Sequence, residues 1–338
     1  MQLLLLLQHV RDGRLSRRRF ICGLHRPLLA PWYRLVADGE RLLLEHGRSV
    51  VCFRGAAARV LLPALLPLLD GTRSVGEVVA AAGPAAAPAI EQALELLEQN
   101  GLLVEGPPAS IPAANALAGV LGVAPVAAEE RLLHATVGVV GGAGAADAVV
   151  ALLRASAVGR VERIAWDRCA EADLVVVMPA PGETGRLEAW NAEALVDGRP
   201  WLAVRPFDGV VCAVGPLVLP GESACFECLV LRMAGHLEYG RDLRRIEAVP
   251  VAASATAPLD SLVAGIAAHL ALVWVAGPDG TLPGKLYVLE TRPLTLACHA
   301  VLRVPRCPAC SHVARVAPPL PWHPAPLPPT RVPPEGSA

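Results

Sequence analysis

The chain has 338 residues, enough for two ordinary domains, and 54% of them are hydrophobic. Lys and Arg number 30 against 31 Asp and Glu, for a formal net charge of −1. No field of one sign is available, so nucleic acid is excluded as the expected partner. Mean hydropathy is +0.46, but alanine carries much of it, and a membrane protein does not follow.

The N-terminal stretch Met1–Leu7 is apolar yet short, without a basic leading region or a small-residue cleavage site. A signal peptide is therefore not expected, and residues 1–19, with Arg17-Arg18-Arg19, read as a solvated tail. A cytoplasmic protein is expected. From about Phe20 the pattern becomes regular. Trp32–Val36 and Arg41–Glu45 flank Ala37-Asp38-Gly39-Glu40, and Asp-Gly between two apolar runs predicts a hairpin. Ser49–Arg54 predicts a third strand. A leucine-rich helix follows over 56–69 despite Pro63 and Pro67, and Asp70-Gly71-Thr72 stops it. Ser74 with Glu77 three residues on is a capping box opening a short helix to Ala82. Pro88 opens a third helix to Gln99, with Ile90, Leu94 and Leu97 on one face and Glu91, Glu95 and Glu98 elsewhere. Asn100-Gly101 ends it, and Leu102–Val104 predicts a closing wing strand. The sum over 20–105 is three strands and three helices in winged-helix order.

Residues 106–131 are rich in Pro and Ala and read as a linker. A second block, 132–316, alternates strands and helices, which predicts a parallel sheet. Strands are expected at 134–140, 161–165, 174–178, 209–219 and 285–289, with a helix over 147–157 and a glycine turn at Gly141-Gly142-Ala143-Gly144. The apolar run 259–276, broken by Asp260, Ser261 and His269, predicts a buried amphipathic helix and no membrane span. Residues 317–338 carry nine prolines' worth of extended-chain character and are expected to be a disordered tail.

Two Cys-x-x-Cys pairs, Cys225/Cys228 and Cys307/Cys310, carry the strongest chemistry. Each can offer two thiolates to one metal, and four thiolates make a closed tetrahedral structural zinc site with no open catalytic position. A redox disulfide in either pair and an iron–sulfur cluster stay open as alternatives. His299 and His312 read as neighbours of the site, not ligands. Cys22, Cys52, Cys169, Cys212 and Cys298 have no ligand spacing and read as small apolar side chains.

The second block resembles the ThiF and MoeB type of adenylating protein. Val139–Gly144, Asn191–Gly221 with its return strands, and the paired cysteines running on to Arg232 carry that resemblance. Departures from the family pattern are informative. Where active members read G-x-G-G-x-G, this chain has Gly141-Gly142-Ala143-Gly144-Ala145-Ala146. The ribose-gripping Asp of the second strand corresponds to Ala165, the segment supplying phosphate cations is missing after Asp167, and the magnesium Asp corresponds to Ala180. The turn at Gly141, Gly142 and Gly144 is thus expected to be a relic, and ATP is not expected to bind this chain.

Residues 26–105 resemble the PqqD-like precursor-peptide recognition element. The whole is similar to the leader-peptide-binding (ocin-ThiF-like) partner of YcaO cyclodehydratases. That resemblance implies an N-terminal winged-helix (α+β) recognition domain, then a Rossmann-like α/β domain of ThiF type with a zinc knuckle. It implies a non-catalytic subunit that binds the leader of a ribosomally made precursor peptide and presents its core to a YcaO enzyme forming azolines. A homodimer and a flavin dehydrogenase of the same pathway are further implied partners. Leader contacts are expected at Ser49, Val50, Val51, Cys52, Phe53 and Arg54, and at Glu91, Leu94, Glu95 and Glu98, through strand addition to an open sheet edge. The alternatives are an active adenylyltransferase acting on a protein or peptide C-terminus and, with less support, a nicotinamide-dependent oxidoreductase.

Overall fold

The computed structural model describes residues 23–142, 144–166, 171–249, 255–277 and 280–312. The tails 1–19 and 317–338, Cys22, Cys169, Ala143 and Asp167 lie outside the described residues. The chain divides into two compact units, one comprising 1–176 with 256–282 and the other 177–255 with 283–338.

The first unit opens with β1 (Pro27–Leu29), β2 (Arg34–Asp38), β3 (Arg41–His46) and β4 (Ser49–Arg54). Asp38 pairs with Arg41, so the turn is Gly39-Glu40, and β2, β3 and β4 form an antiparallel sheet in that order. Both β2 and β4 are therefore edges. Helix α1 (Ala57–Leu68) keeps its helical path, but its interior prolines cannot donate to the preceding turn. The backbone answers with a wide turn closed by Leu62 N–H to Ala57 O and a tight 3₁₀ turn at Leu66–Leu68. Gly71 follows at φ +73, where a Cβ would lie 2.0 Å from Gly106 O, so only glycine fits this crossing. The Ser74–Glu77 capping box forms in full and opens α2 (Val75–Ala82). Helix α3 (Ala87–Gln99) buries Ile90, Ala93, Leu94 and Leu97. These side chains, with Leu44, Leu65 and Val78, are at the heart of one apolar core. The strand expected over 102–104 forms as β5 (Leu103–Glu105), and it pairs with β1 in a separate two-stranded sheet.

Residues 106–131 are not an irregular connection. They hold α4 (Pro112–Leu121) and most of α5 (Pro125–His134). Pro112 and Pro125 stand at first helical positions, where the missing N–H has no partner to lose, and alanine is the best helix former. Gly122, at φ +67, closes α4. The same Pro and Ala content that suggests a linker is thus that of two capped helices, whose buried face includes Leu117, Ala118, Ala128 and Leu132.

Next come β6 (Thr136–Gly141), α6 (Ala145–Ala155), β7 (Arg160–Ile164) and β8 (Leu174–Met178). Within the first unit the strand order is β8-β6-β7, with β6 and β7 parallel and β7 at the edge. Val137, Val139, Val140 and Leu174 to Val177 are fully buried, as expected of strands covered on both faces.

The second unit contains α7 (Gly185–Asp197), β9 (Trp201–Arg205), β10 (Val211–Val218), α8 (Phe226–His236) and α9 (Leu243–Glu247). Helix α10 (Ala257–Ala276) returns to the first unit, and β11 (Lys285–Glu290) and β12 (Thr295–Ala300) complete the second. Strand order in this unit is β12-β11-β10-β9, and these strands are antiparallel. The fold is thus α/β, and its sheet is mixed where strand–helix alternation predicts parallel strands. Asn191, expected among the return strands, lies on α7, and β12 was not expected at all.

Among the described residues, α10 is the one helix long and apolar enough to cross a membrane. It packs along α4, α5 and α6 and buries Val263, Ala264, Ala267, Ala268 and Ala271. It is apolar nearly all round, with Leu262 exposed as well, so the expected amphipathic pattern is not what buries it.

Candidate metal centre and glycine turn

Four sulfurs converge in the second unit. Cys225 is the residue immediately before α8, and Cys228 is on its first turn, where its N–H donates to Cys225 O at 3.1 Å. Helix α8 starts at this point because Asn191 Oδ1 accepts the N–H of Phe226 at 2.9 Å. A helix leaves its first N–H groups without partners, and a buried one must be satisfied. Asn191, 1% exposed, reaches across from α7 to do so. The second pair lies on turns after β12. Cys307 N–H donates to Val304 O, and Ser311 N–H donates to Cys307 O.

Two arginines hold these segments together. Arg232 of α8 donates to Leu302 O at 2.6 Å and Arg303 O at 3.2 Å. Arg303 donates back to Gly221 O at 2.7 Å and to Cys310 O at 3.0 Å. The knuckles are thereby cross-braced through main-chain carbonyls.

The sulfur of Cys225 is 3.8 Å from those of Cys228 and Cys307, and Cys228 is 3.7 Å from Cys310. All four ligand atoms lie within 4.8 Å of one another, and all four residues are buried. A disulfide needs about 2.05 Å, so these are four thiols. A tetrahedron with metal–sulfur bonds of about 2.3 Å has edges of about 3.8 Å. The cluster matches a single four-coordinate ion, and it is too tight to enclose several irons. It also joins the two pairs into one centre, which separates it from two independent redox motifs. Four sulfurs with no fifth group leave nothing open for substrate.

Hydrogen bonding within the cluster favours one thiolate, that of Cys228. Donation from Cys225, helped by the Val304 N–H at 3.3 Å, lowers the Cys228 thiol to about 5. The same bond pushes Cys225 up, and burial raises Cys307. A dication at the centre would remove this asymmetry by stabilising every thiolate. His299 and His312 are exposed and stand outside the sulfur cluster.

In the first unit, Gly141 ends β6, and Gly144 precedes α6 at φ +87. Asp147, in the first turn of α6, accepts the Gly144 N–H at 3.3 Å. Arg163 of β7 pairs with Asp147 and donates to Gly141 O at 2.6 Å and Gly142 O at 3.4 Å. Ala165 follows β7 and is exposed. In the second unit, the Ala180 N–H points to its neighbour Glu183 at 3.4 Å.

The residues expected to meet a leader fall into two groups. Ser49–Arg54 form the open edge β4, with Ser49, Val50 and Arg54 exposed and Val51, Cys52 and Phe53 half-buried. On α3, Glu91 is exposed, and Glu95 and Glu98 are half-buried. Leu94 is fully buried in the core and supports α3 from behind. Glu98 has a partner that the sequence did not announce. Its carboxylate accepts the Gly23 N–H at 3.2 Å.

Asn191, Arg303, Arg163 and Asp147 were missed as site residues. Asn191 was the most findable, because it interrupts the apolar stripe Leu187, Trp190, Ala194, Leu195 of an amphipathic helix. A polar residue on such a stripe needs a buried partner.

No protein-family model and no curated protein sequence matches the chain. Solved structures do. The chain is similar to the heterocyclase TruD at 24% identity and a TM-score of 0.68, covering 85% of this chain and 43% of that one. A heterocyclase in complex with substrate and cofactor matches at 24% identity and a TM-score of 0.68, with 85% and 39% covered. E. coli MccB with MccA-N7isoASN matches at 15% identity and a TM-score of 0.61, covering 84% of this chain and 99% of that one. The chain thus spans less than half of the heterocyclases it resembles, and at these identities the likeness is one of fold.

Proposed function

We propose that this chain binds the leader of a ribosomally made precursor peptide and holds its core for a YcaO-type, ATP-dependent cyclodehydratase. The observation that carries this reading is the pairing of a TruD-like fold over 85% of the chain with an N-terminal sheet in which the outer side of β4 has no strand beside it among the described residues. An extended leader added to β4 gains main-chain hydrogen bonds, and the side chains of β4 and the exposed face of α3 set its register. In this reading residues 20–105 are a winged-helix recognition domain. In this reading ring formation falls to the YcaO-type enzyme. The four cysteines hold a structural zinc, the ion whose ligand preference and geometry suit four thiolates best. The chain itself is a non-catalytic subunit.

The experiment is binding of a fluorescent leader to the full chain. The probe is the leader of any short peptide rich in Cys, Ser or Thr near its end whose gene is found beside that of this chain. Affinity in the micromolar range is expected, and no binding at about 50 μM would sink the proposal. Val50 sits opposite Glu45 in the non-hydrogen-bonded register of the β3–β4 hairpin, so its N–H faces the open edge. Val50→Pro removes that donor and should weaken binding by at least about tenfold. Its metal content should stay at one equivalent per chain, since equal loss of both would mean unfolding.

A second reading, an adenylyltransferase, is favoured by the similar fold of E. coli MccB with ATP, at 15% identity and a TM-score of 0.60. ATP–pyrophosphate exchange by the purified chain would establish it and displace the first.

A further inference from the structure

We infer that the Asp147–Arg163 pair is an internal substitute for a nucleotide, and that it closes the glycine turn after β6 to phosphate. This inference stands apart from the leader-binding reading. In doubly wound folds that bind nucleotides, the first helix after the glycine turn presents its free N–H groups and its dipole to phosphate. Helix α6 has the length and position for this, running over Ala145–Ala155 directly behind Gly144.

Two side chains of the turn, Asp147 and Arg163, run against such a ligand. A carboxylate, Asp147, already stands at the N-terminal end of α6 and accepts the Gly144 N–H at 3.3 Å. It supplies the negative charge that the helix end favours and repels a second anion. Among the described residues the arginine at the turn is Arg163, and it is committed to that carboxylate and to the chain. Two of the turn's carbonyl oxygens, Gly141 O at 2.6 Å and Gly142 O at 3.4 Å, accept from its guanidinium. A phosphate cradle aims N–H groups at its ligand, whereas this turn spends carbonyls on a cation of its own. The residues present do not fit a nucleotide, and the reason lies in groups gained as well as in groups lost.

The pair therefore has two separable effects, ordering the turn without a ligand and excluding polyphosphate. Asp147 is a surface residue, with 61% of its side chain exposed, so its substitution leaves the core untouched.

Full-length protein is compared with Asp147→Asn, Asp147→Ser and Arg163→Met. The probes are magnesium–ATP and inorganic pyrophosphate, read by thermal shift, and hydrogen exchange is read over residues 141–148. Wild type is expected to show no shift with either anion. Both Asp147 variants free the guanidinium and remove the repelling charge, so each should bind pyrophosphate at least about tenfold more tightly than wild type. Arg163→Met should exchange the turn amides about tenfold faster without gaining anion affinity. The inference is overturned if wild type is stabilised by ATP or pyrophosphate as much as the Asp147 variants are. Unchanged exchange in Arg163→Met, or no gain in either Asp147 variant, overturns it equally.

Discussion

Asn191 and Phe226 are 35 residues apart, and one hydrogen bond of 2.9 Å between them fixes where helix α8 begins. Because Cys225 directly precedes that first residue, the same bond sets the direction of two of the four sulfurs. The sulfur cluster therefore depends on an amide that lies outside it. Asn191→Ala leaves the Phe226 N–H buried and unpaired, at a cost of about 1–3 kcal/mol. Asn191→Asp keeps an acceptor and should recover part of this. Thermal melting and metal content of the two variants check the ordering; equal behaviour would remove the role given to Asn191.

Each of the four cysteines should be indispensable to the metal. Cys228→Ser and Cys310→Ser are expected to lower metal content from one equivalent to none, by elemental analysis of the purified protein. Structural zinc contributes on the order of 10 kcal/mol of folding free energy in small domains. A large fall in melting temperature should therefore accompany its loss, and chelation of the wild type should mimic it. Cys298→Ser, at an exposed position, is the control that should change neither.

Acid should release the metal. The Cys228 thiol is held down to about 5, below the usual cysteine value, so its contribution is complete above the unfolded value and is lost as pH falls through about 5. Protons and metal compete for the same sulfurs, and the bound ion moves the midpoint lower still. Metal release followed with a colorimetric chelator should be absent at pH 7 and rise steeply below about pH 5. Release centred near neutrality would contradict the sulfur environment described.

Two neighbouring positions on α3 should separate support from recognition. Leu94→Ala empties a fully buried site and should cost about 2–5 kcal/mol of stability, while leader affinity measured on the folded fraction stays unchanged. Glu91→Gln alters only an exposed face. It should leave the melting temperature unaltered and change leader binding a few-fold, in a salt-dependent way. Titrations at low and high salt distinguish the two.

Much of this was legible because the determining contacts are local. The Asp38-Gly39 hairpin, the β4 strand and the Ser74–Glu77 box are each specified within a few residues, and the structure places them as the sequence suggests. The paired cysteines were legible because their spacing is the chemistry. What escaped was non-local or ambiguous in composition. The partner of β5 is β1, with Leu29 opposite Leu103, and nothing near either strand announces the other. Residues 106–131 look like a linker until Pro112 and Pro125 are read as helix starts. Strand β12, Thr-Leu-Ala-Cys-His-Ala, is exposed almost throughout and has no inward face to impose alternation. Arg163 and Asp147 are unremarkable surface residues until β7 and α6 bring them to one turn.

The bracing of the two knuckles by Arg232 and Arg303 has a consequence for how the protein is made. A ribosome delivers Cys225 and Cys228 long before Cys307 and Cys310, and in that interval only half of the sulfur set exists. Every product terminated or clipped upstream of Cys307 lacks the other half and the Arg303 brace with it. The four-sulfur cluster thus assembles only once residue 310 has been made.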